Sequence, residues 1–174
     1  MKARALVPLL VAAPALLALS PAPARGSSQP PTAAQIRAAV RRGESSRDLW
    51  TTINICNTKD HPLTLGIRGQ MPALGFQSSL EMDVQALYWS AGRFIPVPRT
   101  QQLMDLGAHT TGLYQKGVSF SFAPAAGRLS GTITFIWRRA GKVLAKATRA
   151  ATGGHPSADD GDPKHYSSAQ CAIP

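Results

Sequence analysis

Hydrophobic and polar residues alternate with a period of two over much of the chain, a pattern typical of half-buried β-strands. The clearest stretch runs from residue 79 to residue 88, where Leu80, Met82, Val84, Ala86 and Tyr88 are separated by polar residues at 79, 81, 83 and 85. A turn-rich segment, residues 57–62, precedes another predicted strand at residues 63–68. The other apolar sets with this spacing are Leu49, Thr51, Ile53 and Ile55; Val118, Phe120 and Phe122; Ile133, Phe135 and Trp137; and Val143, Ala145 and Ala147. We predict that these sets face one core.

An Ala-Gly dipeptide at residues 91–92 predicts the turn of a β-hairpin. A shift of one residue in strand register would exchange the two faces, so the register can be tested against the apolar pattern. A two-residue loop pairs Tyr88 with Ile95 and keeps apolar residues on one face. The sequence therefore predicts a tight hairpin here.

A second Ala-Gly dipeptide, at residues 140–141, predicts a different turn. A two-residue loop would set Lys146 opposite Phe135. A loop one residue longer instead aligns Trp137 with Ala145, so that both face the core. We therefore predict a bulged turn with a three-residue loop.

Residues 32–43 are predicted to form one short helix, because Thr32 and Gln35 have the spacing of a capping box. Seven or eight predicted strands follow it, separated by turns rich in Gly and Pro and without alternating helices. The predicted fold is an all-β, antiparallel, immunoglobulin-like (Greek-key) sandwich with a short N-terminal helix. A small closed barrel is the alternative.

The first 24 residues have the three parts of a cleavable signal peptide. Lys2 and Arg4 precede an apolar run at residues 5–19, and Ala24 ends a small-x-small cleavage site. The run is shorter than the roughly 20 residues of a spanning helix, which argues against an uncleaved membrane anchor. We expect a secreted protein without a transmembrane segment in its mature chain. The predicted organisation is a signal peptide at 1–24, a flexible leader with the short helix at 25–43, and a β-sandwich domain at 44–174.

The chain has two cysteines, Cys56 and Cys171. In an oxidising compartment a single pair is most simply a disulfide. The bond would close a loop of about 115 residues and contribute roughly 4–5 kcal/mol in the chain-entropy model. A thiol nucleophile is the weaker interpretation, since neither cysteine lies in a motif that would activate it.

The chain is strongly basic, with a formal net charge of +10. Without Lys2 and Arg4 the charge is still +8, which favours adhesion to anionic surfaces. Beside Trp137, one predicted hairpin concentrates five cations: Arg138, Arg139, Lys142, Lys146 and Arg149. Cations interleaved with an aromatic residue can bind a polyanion or an anionic glycan. Alternatively, they keep an edge hairpin soluble. An anionic cell-surface polymer is the expected partner, and nucleic acid is not expected.

Residues 153–165 contain three carboxylates and two histidines. The residues that could bind a metal are His155, Asp160 and Asp162. A small metal-dependent hydrolase would require His155, Asp159 and His165 to converge. Calcium loops need a further bidentate carboxylate, which does not follow here. The sequence therefore favours a solvated loop, with no metal and no cofactor.

The segments at residues 49–57, 66–72 and 137–155 resemble uncharacterised secreted all-β proteins of high-GC Gram-positive bacteria. This resemblance implies an export signal, an all-β fold and a Cys56–Cys171 pairing, and it carries over no functional residue. The chain also lacks the nucleophile-elbow, zinc-protease and phosphate-loop motifs. We therefore expect a secreted, non-enzymatic binding or structural module that acts at or outside the cell surface.

Overall fold

The computed structural model describes residues 30–174, and Pro31–Pro174 form one compact unit. The predicted signal peptide, residues 1–24, and the start of the leader lie outside the described residues. None of the helical structure within residues 30–174 has the length and hydrophobicity that a bilayer-spanning helix needs.

The described residues form one helix and nine strands. They are α1 (Ala33–Glu44), β1 (Trp50–Cys56), β2 (Thr64–Pro72), β3 (Ser78–Ser90), β4 (Arg93–Pro96), β5 (Gln102–His109), β6 (Leu113–Ser121), β7 (Gly127–Arg139), β8 (Lys142–Ala150) and β9 (Cys171–Ile173). Strands β5 and β9 were not predicted, because β5 has one buried residue, Met104, and β9 is three residues long.

The strands form two antiparallel sheets. The small sheet has the order β1–β2–β6, and the large sheet has the order β4–β3–β7–β8. Strand β5 pairs with the same edge of β3 as β4 does, and β9 pairs with β7 beside β8. The long strands β3 and β7 are therefore the centre of the large sheet. This architecture confirms an all-β sandwich.

The core lies between the two sheets and follows the predicted alternation. Leu80, Met82, Val84 and Ala86 on β3 are fully buried, as are the three predicted residues of β7, Ile133, Phe135 and Trp137. The sheets approach most closely where glycine removes a side chain. A Cβ atom at Gly131 would lie 2.5 Å from Cδ1 of Ile67, and one at Gly69 would lie 2.6 Å from Cδ1 of Ile133.

A β-bulge corrects the predicted face of Ile55. The register of β1 against β2 shifts between Ile53 and Ile55, so that Asn54 is the extra residue. Ile53 belongs to the core cluster, whereas Ile55 is buried outside it. A bulge moves the following residue to the opposite face, which simple alternation cannot reveal.

Both Ala-Gly turns are two-residue loops, so the predicted tight turn of the first hairpin is confirmed and the predicted three-residue loop of the second is wrong. The first hairpin pairs Tyr88 with Ile95, which confirms its register. In the second hairpin Trp137 pairs with Ala145, also as predicted, but the loop has two residues. The extra residue is Leu144, which follows the two pairs next to the turn, Arg139–Lys142 and Arg138–Val143. The predicted inward position of Val143 is therefore wrong, and 43% of its surface is exposed.

Helix α1 packs against the sandwich through its small residues. Thr32 is the N-cap and forms the capping box with Gln35. Ala39 is buried in the core cluster. A Cβ atom at Gly43 would lie 3.0 Å from the Leu74 side chain and 3.5 Å from the Trp137 ring, so glycine allows the end of the helix to lie close to the core.

The C-terminal segment, residues 151–170, covers the outer edge of β1, and we call it the strap. Backbone N–H groups of Thr152, Asp162 and Ser168 donate to β1 carbonyls at 2.8–3.0 Å. After the strap, Cys171 forms the predicted disulfide with Cys56, with a Cα–Cα distance of 5.4 Å. The strap and the disulfide thus attach the C-terminal part of the chain to the first strand.

Candidate functional site

The five cations predicted as a polyanion site do not form one uniform surface. Arg138 forms an ion pair with Glu81, with 2.9 Å between Nε and the carboxylate. Arg149 donates to the carbonyl of Glu44 and so caps the end of α1. A guanidinium at this position satisfies a carbonyl that the helix leaves unpaired. Two of the five cations therefore have intramolecular roles.

Trp137 is unavailable to a ligand. Its side chain is completely buried, and its Nε1–H donates to the carbonyl of Pro72 at 2.9 Å. The sequence-based hypothesis that Trp137 stacks on a ligand is therefore wrong, because its ring is packed in the hydrophobic core.

Two of the three remaining hairpin cations, Arg139 and Lys142, lie at one end of the large sheet. Lys142 follows the turn between β7 and β8 and is exposed. Arg139 lies 5.4 Å from the centre of the Phe76 ring. Arg42 of α1 lines a groove of about 170 Å³ beside Pro72 and Leu74. Arg42 and Arg139 therefore both lie beside the connection between β2 and β3, residues 73–77, one on the helix and the other on the hairpin.

We call Arg41, Arg42, Arg139 and Lys142 the basic end. None of the four forms an ion pair with a carboxylate in the described part of the chain. Sequence reasoning missed the contribution of α1, because Arg41 and Arg42 lie about 100 residues from the hairpin. The packing of Gly43 against Trp137 joins the two segments, and no local pattern encodes that contact.

Lys146 lies apart from the basic end. It pairs with Ile136 of β7 and is exposed on the outer face of the large sheet. This position follows from the bulge at Leu144, which sets the face of every later residue of β8.

The structure does not bring the strap's metal candidates together. Asp160 pairs with Arg68, whereas Asp162 accepts hydrogen bonds from Thr58 and from Nδ1 of His61. Within residues 30–174, no group of three or more His, Cys, Asp or Glu side chains has the geometry of a metal site. Each carboxylate instead attaches the strap to a different part of the small sheet.

Hydrogen bonds lower the pKa of Asp162. The Thr58 hydroxyl makes the largest contribution, followed by His61. Both groups stabilise the carboxylate form, which outweighs the opposing effect of burial. Asp162 is therefore a charged anchor that joins the strap to the turn between β1 and β2.

His155 is held by stacking. Its ring lies on the Trp50 indole, with 4.6 Å between centroids and 15° between planes, and its Nε2 lies 2.9 Å from the Thr152 hydroxyl. Burial lowers the pKa of His155, because the charged form loses hydration. The imidazole thus serves as a packing surface, and the other candidate histidine, His165, lies 2.9 Å from the carbonyl of Pro156.

An open cleft of about 340 Å³ lies within the strap itself, lined by residues 156–161 with Lys164 and His165. Asp159 and Asp160 lie on the rim of this cleft and are exposed, as expected for a solvated loop. The same segment is anchored underneath, because the amide of the buried Asn54 donates to the carbonyls of both aspartates at 3.0 Å. The sequence did not indicate this anchor, since Asn54 lies about 105 residues away.

Comparisons of the chain with models of known protein families and with curated proteins found no match. The functional assignment therefore depends on the surfaces described above.

Proposed function

We propose that this protein is a secreted, non-enzymatic binding module that adheres to an anionic polymer at or outside the cell surface. The basic end is the proposed contact surface. The observation that carries the proposal is the grouping of Arg41, Arg42, Arg139 and Lys142 without a carboxylate partner in the described residues.

Free cations bind a polyanion better than paired ones. Arg138 is already compensated by Glu81, so a ligand would have to compete with that carboxylate. Among residues 30–174, the four cations of the basic end have no such competitor. Their attraction to a chain of sulfates, phosphates or carboxylates acts through counterion release. The binding therefore depends on charge and salt and does not need the buried Trp137.

The compartment follows from the cysteines and the N-terminal pattern. A disulfide between Cys56 and Cys171 is stable in an oxidising, extracytoplasmic environment. Two cations, an apolar run and a small-x-small site in residues 1–24 support export with cleavage after Ala24.

We also propose that the sandwich has the immunoglobulin-like Greek-key topology. Its support is the strand order. Strands β1, β2 and β6 correspond to A, B and E of one sheet, and β4, β3, β7 and β8 correspond to C′, C, F and G of the other. The Cys56–Cys171 bond differs from the inter-sheet disulfide of antibody domains, since it joins the end of β1 to the C-terminal strand.

The test uses two turns of the same sequence type. Lys142 follows Ala140-Gly141, and Arg93 follows Ala91-Gly92. Each pairs with the residue just before its own turn. The two turns lie at opposite ends of the large sheet, because Ser79 pairs with Arg138 whereas Tyr88 pairs with Leu129. Lys142→Glu and Arg93→Glu therefore make the same change of net charge at opposite ends.

Binding is measured as retention on heparin-agarose, and affinity is measured across a salt series. Lys142→Glu should lower the affinity and reduce the slope of log K against log salt concentration by about 1. Arg93→Glu should leave the slope unchanged. Equal losses for both variants would mean that net charge alone drives adhesion, and no retention of the wild type at low salt would refute the proposed function.

A further inference from the structure

The two outer faces of the sandwich are covered differently. The strap lies over the outer side of β1 in the small sheet, through Asn54 and Trp50. The outer face of the large sheet has no such covering segment in the described residues. It spans β4 and β5, β3, β7, and β8 and β9.

Exposed apolar side chains concentrate on this uncovered face. The four large hydrophobic residues with the most exposed surface are Trp89, Leu103, Leu113 and Val143. Three of them belong to the outer face by strand register. Trp89 pairs with Phe94, Leu103 pairs with Asp83, and Val143 pairs with Arg138. They are spread along the face, in the rows of Trp89, Asp83 and Ser79 on β3, so the charges of the face carry more information about a partner than its apolar residues do.

The charges of this face are divided between its two halves. The carboxylates, all on β3 and β5, are Glu81, Asp83 and Asp105. The cations, all on β7 and β8, are Arg128, Arg138 and Lys146. This division follows from the residues that alternate outward along each strand. Glu81 and Arg138 already pair with each other across the midline, so the charges without an ion-pair partner among the described residues are Asp83 and Asp105 on one half and Arg128 and Lys146 on the other.

One row across the sheet shows the division most clearly. Asp105, Glu81, Ile136 and Lys146 lie side by side on β5, β3, β7 and β8. Three strand spacings of about 4.8 Å put the Cα atoms of the exposed Asp105 and Lys146 about 14 Å apart. Their side chains therefore do not pair within one molecule. They lie at equal distances from the midline between β3 and β7.

We propose that the outer face of the large sheet binds a second copy of this chain. A two-fold axis parallel to the strands, along the midline between β3 and β7, places each row against the same row of the partner in reverse order. Asp105 of each copy then faces Lys146 of the other. The same operation sets Trp89, which already has its own Arg128 guanidinium 3.8 Å from the ring centroid, against the partner's Arg128. Leu103 lies in the row of Asp83 and Thr134 and faces the partner's Thr148. A face that is acidic on one side and basic on the other is self-complementary under this symmetry.

The test is a charge swap, with the oligomeric state measured by sedimentation equilibrium up to about 1 mM protein. Asp105→Lys and Lys146→Glu each place like charges opposite each other, and each should weaken dimerisation at least tenfold. The double variant restores opposite charges and should restore the dimer. It also keeps the net charge of the wild type.

Leucine variants test the apolar part without changing charge. Leu103 and Leu113 have 60% and 50% of their surfaces exposed, but Leu113 lies on β6 of the small sheet. Leu103→Ser should weaken the dimer, whereas Leu113→Ser should not. A wild-type monomer at every concentration, a double variant as weak as the single variants, or assemblies that grow beyond two copies would overturn the proposal.

These outcomes are separate from the proposed polymer binding. The double variant leaves the basic end intact, so its heparin retention should change only through the loss or recovery of the dimer. A dimer without heparin retention would refute the polymer proposal alone. Heparin retention by a strict monomer would refute the self-association proposal alone.

Discussion

The sandwich core and the strap both pack against β1, but different forces hold them. The core is apolar and closely packed, and Gly69 and Gly131 allow the two sheets to approach. The strap is attached mainly by hydrogen bonds and ion pairs, from its backbone to β1 and from side chains such as Asn54, Arg68 and Thr58. The stability of the core therefore depends on side-chain volume, whereas the attachment of the strap depends on particular hydrogen-bonding atoms. We therefore expect added side-chain volume to give the largest difference in stability between core and strap, and changes of protonation to give the smallest.

The largest effect is expected from the same glycine substitution in the two regions. Gly131→Ala would place a Cβ atom 2.5 Å from the buried Ile67 side chain. We expect a loss of about 1–3 kcal/mol in the free energy of unfolding, because the core has no room for the methyl group. Urea unfolding measures this change.

Gly153→Ala in the strap is the matched control. There the new atom would lie 3.4 Å from the nearest backbone oxygen, an ordinary contact, and the residue has no positive φ. The expected change is within about 0.5 kcal/mol, with a small gain from the stiffer unfolded chain. Equal losses at both positions would contradict the distinction between core and strap.

A smaller effect is expected from Asn54→Ala, which removes the donor to the carbonyls of Asp159 and Asp160. Because both hydrogen bonds of the buried Asn54 amide are lost, we expect a cost of about 1–2 kcal/mol. The cost should appear as opening of the strap. Hydrogen exchange at the amides of Thr152 and Ser168 should accelerate, while the amides between β3 and β7 keep their protection.

The control removes a hydrogen bond from the other region. Thr134 and Thr148 form a cross-strand hydroxyl pair at 2.8 Å on an exposed face. Thr134→Ala should change the stability by no more than about 0.5 kcal/mol, since water replaces the lost partner. Faster exchange throughout the large sheet in Asn54→Ala would show instead that core and strap unfold together.

The smallest effect is expected when the pH is lowered. The pKa of Asp162 is below its usual value of 3.8, so its contribution is present above about pH 4 and is lost as the pH falls through the folded-state value. The pKa of His155 is below its usual value of 6.5, so protonation also favours an open strap as the pH falls below 6.5. Strap amides should therefore lose protection at acid pH before core amides do.

The physical cause of the Asp162 shift can be tested directly. Because the Thr58 hydroxyl contributes most, Thr58→Val should raise the midpoint of the Asp162 carboxyl titration measured by NMR. His61→Ala should raise it less. A midpoint unchanged by Thr58→Val would contradict the hydrogen-bond assignment.

The same distinction explains what could be predicted from the sequence. The alternation at residues 79–88 and the apolar set ending at Trp137 identified the core, because a buried face requires every second residue to be apolar. The bulge at Asn54 could not be found this way, and the bulge of the second hairpin was predicted in the turn instead of at Leu144. The outer-face positions of Ile55 and Val143 were therefore missed.

The functional surfaces were less predictable for a related reason. The hairpin cations were visible as a local cluster, but the pairing of Arg138 and the helix-capping role of Arg149 depend on distant residues. The contribution of Arg42 likewise requires α1 to pack beside the connection between β2 and β3. A single sequence shows which residues are charged, whereas the fold decides which of them remain free.

The bond between Cys56 and Cys171 also makes most of the chain a closed covalent ring. Strands β2 to β8 and the whole strap lie within it, while α1 and most of β1 precede it. A protease that cuts one exposed loop in this ring opens the circle but releases no fragment, and two cuts are needed to detach a piece. The ring therefore preserves the connection between both ends of the sandwich after a first cleavage.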